Sequence, residues 1–565
     1  MTLERPQRVL LLLTFLSWTA AVPAKDIYVS VTQGNDQNSG SSAGAALRTI
    51  AAAVGLAQPG DTVWVSPGQY QESLMPLQSG TKAQPITFKR LGQGSAVIVQ
   101  PSAGTNRAAI YVNGVTDIVI DGIDANGGKP APDAALNAFV TVSNSSRIVI
   151  RNGTFAKGNG WEGIGVSNGS TYVTIEDNQV DMVGHLWPAK GWGGNGEGIA
   201  ASDGNPTHVL VQRNRISHCG HDLLTIGGQF NVAQDNYLDN DWTDVQGAPA
   251  GYRNAVVIGS NNLFQRNSLA HSGPGPAPLT YPTLLRVEGS NNIVRQNILT
   301  YAYNQAIQSQ AGSWTANGSG DHIYNNTIYQ AGGPAWEEVL YTGYTRGNDV
   351  FQNNLAVNTR LNPSTSNFDN DVVIWANDPT TPTASSSVIG NLIVPAGGKS
   401  ATLMLGPRPG SVPLTKPGTA VSAYVFANLV GPAPTFAHAP APGNTSAAAI
   451  LSTYQLTAGS AGLGQGTFLT TITATGNSAS LPVKDAGFFT DGFGLVPGDM
   501  VKLQGGSQPI QVTHVDYAAR VVTLAQSVAY SAGQGLSLSY AGAAPDIGLA
   551  AILQPSAPQG VRVGN

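Results

Sequence analysis

The sequence predicts an all-β protein: a right-handed, single-stranded parallel β-helix with a capping helix at its N-terminal end. Three observations predict it. Between Trp161 and Gln265 the blocks WEGIGVSNGSTYVTIEDNQV, GEGIAASDGNPTHVLVQRNRI, HDLLTIGGQFNVAQDNYL and RNAVVIGSNNLFQ repeat one pattern. Each holds a short apolar strand and a Gly/Ser/Asn turn, and most add a second strand and an Asn before an apolar residue. That Asn recurs at Asn178, Asn214, Asn236, Asn267, Asn297, Asn326, Asn354 and Asn391, at intervals of 36, 22, 31, 30, 29, 28 and 37. The shortest interval is one coil of a strand solenoid, and the longer ones add residues in a loop. Finally, the apolar runs are short, rich in Val and Ile, and lack the three-and-four spacing of a helix. Asn stacked on Asn in successive coils makes a ladder of amide hydrogen bonds.

Residues 1–24 read as a secretory signal. Arg5 and Arg8 precede the apolar run Val9 to Leu16, which is too short to span a bilayer, and Val22-Pro23-Ala24 fits a cleavage site. The expected location is therefore secreted or periplasmic, with no membrane span. The lone Cys219 excludes an intramolecular disulfide, so packing and hydrogen bonds must hold the fold. A net charge of −5 gives no basic field for nucleic acid, and 11% charged residues with 68 Gly in 565 suit tightly turned coils. A monomer is expected.

Lys25 to Gln71 opens with the strand IYVS and the turn-rich TQGNDQNSGSSAG. LRTIAAAVGLAQPGDTVWVSPGQYQE then gives a short helix that Thr49 can cap and Pro59-Gly60 ends, placed to cover the open end of the solenoid. The β-helix extends over 25–466. After Asn391 the periodicity fades, and 398–448, rich in Pro, Ala, Gly and Ser, reads as an irregular outer segment. MVKLQ, IQVTHVDY, RVVTLA and LSLSY alternate within 467–541, which predicts an inserted antiparallel β-barrel or sandwich, either a structural cap or a carbohydrate-binding module. Residues 542–565 return to the β-helix.

IYVS…GND…G…LRTIAAAV…PGDTVWVSPGQYQE resembles the opening segment of the pectate-lyase-like superfamily of secreted β-helix proteins. YQLTAGSAGLGQG at 454–466 and PDIG at 545–548 resemble its closing segments. The resemblance implies the fold. For activity it implies polysaccharide lyases, glycoside hydrolases, uronate epimerases and non-catalytic surface proteins alike, so function has to come from a site.

Aligning the coils puts Glu162, Glu197 and Asp222 at one position, where a loop enters a strand, with Arg253 at the next step. Coils about 4.8 Å apart would stack these acids along one edge, unless the alignment slips by a residue and turns them inward. Such a row is a solvated turn, a calcium site built from hard oxygen ligands, or an acid/base pair in which crowding separates the pKa values. The loops entering these strands carry Trp187, Lys190 and Trp192, then His218 and His221, then Trp242, Tyr252 and Arg253. Trp and Tyr there suit stacking on sugar faces. Two His and an Asp in HCGHD fall short of a zinc set, whereas His221 oriented by a carboxylate suits proton transfer. In LLRVEGS, Arg286 and Glu288 alternate with core-facing Leu285 and Val287, so they face outward, into the groove or as a surface ion pair.

The leading expectation is a polysaccharide lyase cleaving a uronate-containing polymer by β-elimination. Lys190, His221 or Tyr252 would be the base, and Arg253, Arg286 or calcium would neutralise the uronate. Superfamily members often use Lys or Arg with calcium, but their acidic calcium motif has no residue-by-residue match here. The second is a glycoside hydrolase, with Glu197 and Asp222 one coil apart for retention, or Glu162 and Asp222 two coils apart for inversion. The third is a non-catalytic β-helix that binds polysaccharide or oligosaccharide.

Overall fold

The computed structural model describes residues 23–92, 96–98, 108–126, 138–158, 161–184, 196–241, 253–272, 283–302, 305–309, 318–330, 340–342, 348–359, 372–376, 387–395, 402–405, 411–413, 425–438 and 446–549. The signal-like residues 1–22 lie outside that set. The chain is a parallel β-helix of three long sheets. Sheet A has 14 strands, from Asp26–Val29 to Val425–Phe426; sheet B has 13, from Gly68–Tyr70 to Leu429–Val430; sheet C has 12, beginning at Ala108–Asn113. A coil contributes one strand to each in turn: Glu162–Ser167 in sheet C, Thr171–Glu176 in sheet A and Gln179–Val183 in sheet B. From these three strands Ile164, Val166, Val173, Ile175, Val180 and Val183 point inward and are fully buried in one continuous core. α1 (Ile50–Leu56) is capped by Thr49, whose hydroxyl accepts from the Ala52 N–H, and it buries Ile50, Ala53 and Val54.

The Asn ladder stands at the corner between sheets A and B. The residue before each Asn takes the left-handed conformation, with φ between 51° and 57° at Asp177, Arg213, Asp235, Arg266 and Gln296. Such a corner turns the chain in one residue and leaves backbone groups without strand partners. Asn supplies them. The backbone N–H and the Nδ2 of Asn214 both donate to Oδ1 of Asn236, at 3.0 and 3.1 Å, and its Nδ2 also donates to the Ile175 carbonyl at 2.9 Å. The same set runs from Asn178 to Asn391 and gains a further rung, Asn428. A second ladder, Asn231, Asn262 and Asn292 leading to Asp321 and Asp349, follows sheet C. Its members lie among other turn residues and the sequence pattern did not separate them.

One expectation is corrected, and the inserted antiparallel β-domain is found. The segment 398–448 is not wholly irregular: Thr402–Leu405 extends sheet C, with Ser411–Pro413 antiparallel beside it, while Val425–Phe426 and Leu429–Val430 extend sheets A and B. The antiparallel strands from Thr470–Thr471 to Gly535–Leu538 form a six-stranded sheet that covers a flank of the solenoid, not its end. Leu210, Val232, Leu263 and Ile293, on the outer face of sheet A, share one apolar cluster with Leu469, Phe488, Val501 and Leu536. Beside them, buried Arg295 donates to Asp499 at 2.8 Å and to the Tyr324 hydroxyl at 2.8 Å. The chain then returns to the solenoid, where the Gly548 N–H donates to the Asn353 carbonyl at 2.7 Å. α2 (Ala447–Thr453) packs Ile450 and Leu451 against Tyr237 and Ile298 on the outside of sheet B.

Candidate active site

Sheet C carries the acids, and its register decides where they point. Glu162 pairs with Ala138 on one side and Glu197 on the other, and Asp222 pairs with Arg253, which pairs with Thr283. Ile199 opposite Leu224 completes the frame, so Glu197 and Asp222 share the position. Strict alternation would put all three acids inside, on the side of Ile164, Ile199 and Leu224. It fails here because two consecutive residues face the core, as with Leu223 and Leu224, or Leu284 and Leu285, all fully buried. In the acidic coils the extra inward residue is Gly163 or Gly198. A side chain at Gly198 would begin 2.4 Å from Ile216. The acids are thereby turned outward.

The backbone leading into each strand is tied to the coil before it. Glu197 N–H donates to the Trp161 carbonyl at 2.7 Å, and His221 N–H to the Gly196 carbonyl at 3.1 Å. Gly196 itself has φ +140°, and a Cβ there would lie 2.5 Å from the Val183 carbonyl, so the residue before Glu197 has to be glycine.

His221 joins three groups. Its Nδ1 lies 3.1 Å from Asp222 Oδ2 and 3.4 Å from Glu197 Oε1, and its Nε2 lies 3.1 Å from Arg253 Nη2. Arg253 grips Asp222 with two bonds, Nε to Oδ1 at 2.8 Å and Nη2 to Oδ2 at 3.1 Å. Burial pulls the imidazole pKa down, but the Asp222 charge and the hydrogen bonds the ring donates to Asp222 and Glu197 outweigh it and the opposing Arg253, lifting it to about 9. An imidazolium has no lone pair for Arg253, so the Arg253 contact belongs to the neutral ring, and the carboxylates favour the charged one. Burial acts to raise Asp222 too, yet Arg253 and His221 hold it well below the usual carboxylate range. Its two oxygens are committed.

Glu162 is the opposite case. Burial, then the charges of Glu197 and Asp203, push its carboxyl up to about 8. It is half-buried on the strand, and Trp161, the residue before it, is 51% exposed. Trp161 is a residue that sequence reasoning missed. Its only signal was its place one before the first acid. Beyond Arg253, Arg286 is paired with Glu288, whose side chain is 1% exposed, so this is a buried pair and not a surface one. Burial and the neighbouring Arg253 lower the Arg286 pKa. Lys190, Trp187, Trp192, Trp242 and Tyr252 lie outside the described residues.

Glu197, His221 and Asp222 bring ligand atoms within 4.8 Å of one another. Calcium does not fit them: both Asp222 oxygens already receive N–H from a guanidinium, whose charge repels a divalent ion at that point.

The fold is a parallel β-helix of three long sheets, with an acid and arginine row on one sheet face. No family model matches the chain. It is 29% identical over 157 residues to the uncharacterized protein YwoF of Bacillus subtilis (strain 168), a stretch that takes in 27% of this chain and spans 28% of that relative's length. Among solved structures it is similar to pectate lyase Pel9A, at 16% identity over 81% of this chain and 95% of that one, with a TM-score of 0.41. It is also similar to PfbA, a surface adhesin of Streptococcus pneumoniae, at 13% identity over 66% and 90%, with a TM-score of 0.43.

Proposed function

We propose that the protein is an exported carbohydrate-active enzyme that hydrolyses a glycosidic bond, with Glu162 as proton donor and Glu197 as the opposing carboxylate. The observation that carries this is the register of Glu162 on Glu197 across one coil. Strands about 4.8 Å apart place the two side chains on neighbouring rungs, a spacing near the about 5–5.5 Å that retaining glycosidases keep between their carboxyls. The Glu162 O–H gives its proton to the glycosidic oxygen as the C–O bond breaks. Glu197 attacks the anomeric carbon and holds the sugar as an ester, which water cleaves after yielding its proton to Glu162. A carboxyl raised to about 8 is protonated at neutral pH, as a donor has to be. Asp222 keeps Arg253 and His221 in place, and Trp161 offers a sugar-stacking face.

Elimination, the leading expectation from sequence, is favoured by the guanidiniums of Arg253 and Arg286 on the next two coils, which suit a uronate carboxylate. Against it, His221 at about 9 is a poor base at neutral pH.

The test is incubation with polygalacturonate, alginate, xylan and neutral glucans, reading reducing ends and ultraviolet absorbance in parallel. Hydrolysis gives reducing ends alone, and Glu162→Gln and Glu197→Gln should each lower the rate about a hundredfold or more. Absorbing unsaturated products would establish elimination. Binding with no product, unchanged in both variants, would establish a non-catalytic binder.

A further inference from the structure

Glu162 and Glu197 occupy one position in successive coils, yet only Glu162 lies back along its own strand. The difference is three residues further on. Outward-facing Gly165 is in register with Thr141 on the preceding coil and Ala200 on the following one. A Cβ built on Gly165 would sit 1.8 Å from Glu162 Oε2 and 2.8 Å from its Cδ. The carboxyl therefore fills the space that a side chain would take. Gly165 is not in the left-handed region, so its backbone does not call for glycine. The other atoms nearest that Cβ also belong to the Glu162 carboxyl, the free end of a flexible side chain.

We infer that Gly165 is a positioning residue: its missing side chain is a seat that draws the Glu162 carboxyl out of solvent and sets it apart from Glu197. In the next coil Ala200 fills the matching space, and Glu197 extends toward His221 instead, 3.4 Å from Nδ1. Two identical residues one coil apart are thus given different environments by a single methyl group, the condition under which paired carboxyls divide into acid and base. The charged groups that face the seated carboxyl are Glu197 and Asp203, both from the following coil; the preceding coil presents Ala138, which carries no charge. The catalytic meaning of the seat rests on the reading of Glu162 as proton donor; the seat itself does not.

The test is a titration of full-length protein carrying carbon-13 at the glutamate carboxyls, with the Glu162 signal assigned by its loss in Glu162→Gln. In the wild type it should titrate near 8. In Gly165→Ala, whose melting curve in acid should match the wild type because only a carboxyl has to swing aside, it should fall by about two pH units or more. Glu162→Asp, labelled at its aspartate carboxyls instead, keeps Gly165 but is too short to reach the seat, so its carboxyl should also titrate in the ordinary range, which covers the case in which Gly165→Ala fails to fold. A folded Gly165→Ala that titrates as the wild type does, or a wild-type Glu162 that titrates normally, would overturn the seat. A shift as expected, joined to full activity of Glu162→Gln on every polysaccharide above, would leave the seat standing and remove the catalytic role.

Discussion

Glu162→Gln should stabilise the protein in alkali and leave it unchanged in acid. The folded carboxyl titrates at about 8 against an ordinary 4.5, because burial and the charges of Glu197 and Asp203 oppose its ionisation. Between those values the folded state keeps a proton that the unfolded chain has released, so wild-type stability falls as pH rises through the window. At 1.36 kcal/mol per pH unit the full rise is worth about 5 kcal/mol. The side chain retains contact with water, which relieves part of that, and about 2–3 kcal/mol is the expected difference. The amide keeps the shape and cannot ionise. His221 slopes the same way: raised to about 9, it adds stability below its ordinary 6.5 that is lost as pH climbs through 9. That change is common to both proteins and largely cancels in their difference. Thermal midpoints of wild type and variant should therefore coincide near about pH 4 and separate by about 2–3 °C near about pH 9. Curves that superpose across the whole range would show that Glu162 titrates in contact with water, and its role as a proton donor at neutral pH would go with it.

Three further outcomes are expected. Asn236→Ala removes the acceptor for two Asn214 donors and the amide that bonds the Val211 carbonyl, all buried, and should cost about 1–3 kcal/mol in urea unfolding; a cost near zero would mean water replaces the rung. Asp499→Ala strands the buried Arg295 under the antiparallel sheet and should cost about 3–5 kcal/mol, with early proteolytic cutting around 467–541 as the measurement; equal resistance to protease would remove Arg295 from the docking of that sheet. Chelation should leave any glycan-cleaving activity unchanged, since Arg253 already occupies Asp222, and a loss restored by added calcium would reverse that assignment.

Much of the fold was legible because the corner between sheets A and B imposes one residue type. A left-handed residue followed by an Asn that must serve both neighbouring coils leaves a periodic mark, and eight of its rungs can be read directly from the chain. Asn428 was hidden by a Pro/Ala-rich setting, although it stands 37 residues after Asn391, the same interval as the rung before. The row Glu162, Glu197, Asp222 and Arg253 was legible as a register, since strand frames align without knowledge of direction. Its orientation was not. Paired core residues such as Leu223-Leu224 are compatible with either face, and only the packed core shows that both turn inward. The partnership of Arg253 with Asp222 was equally hidden, because an acid next to a base in register can pair with each other or with a ligand.

The division of labour along this row follows from what the repeat holds constant and what it varies. The backbone gives Glu162, Glu197 and Asp222 the same frame, so differences among them must come from side chains on the same or adjacent coils. Asp222 is followed by Arg253 on the next coil and becomes a fixed charge, held down and spent on the guanidinium. Glu197 is followed by His221 and Asp222 and is drawn toward the imidazole. The charges that act on Glu162 are those of Glu197 and Asp203, and its carboxyl turns back over Gly165. A solenoid can thus build a graded series, from a carboxyl that holds its proton to one that never does, by changing one neighbour per coil. The acid and base roles proposed for this row need such a contrast, and it is greatest between Glu162, which keeps its proton, and Asp222, which does not.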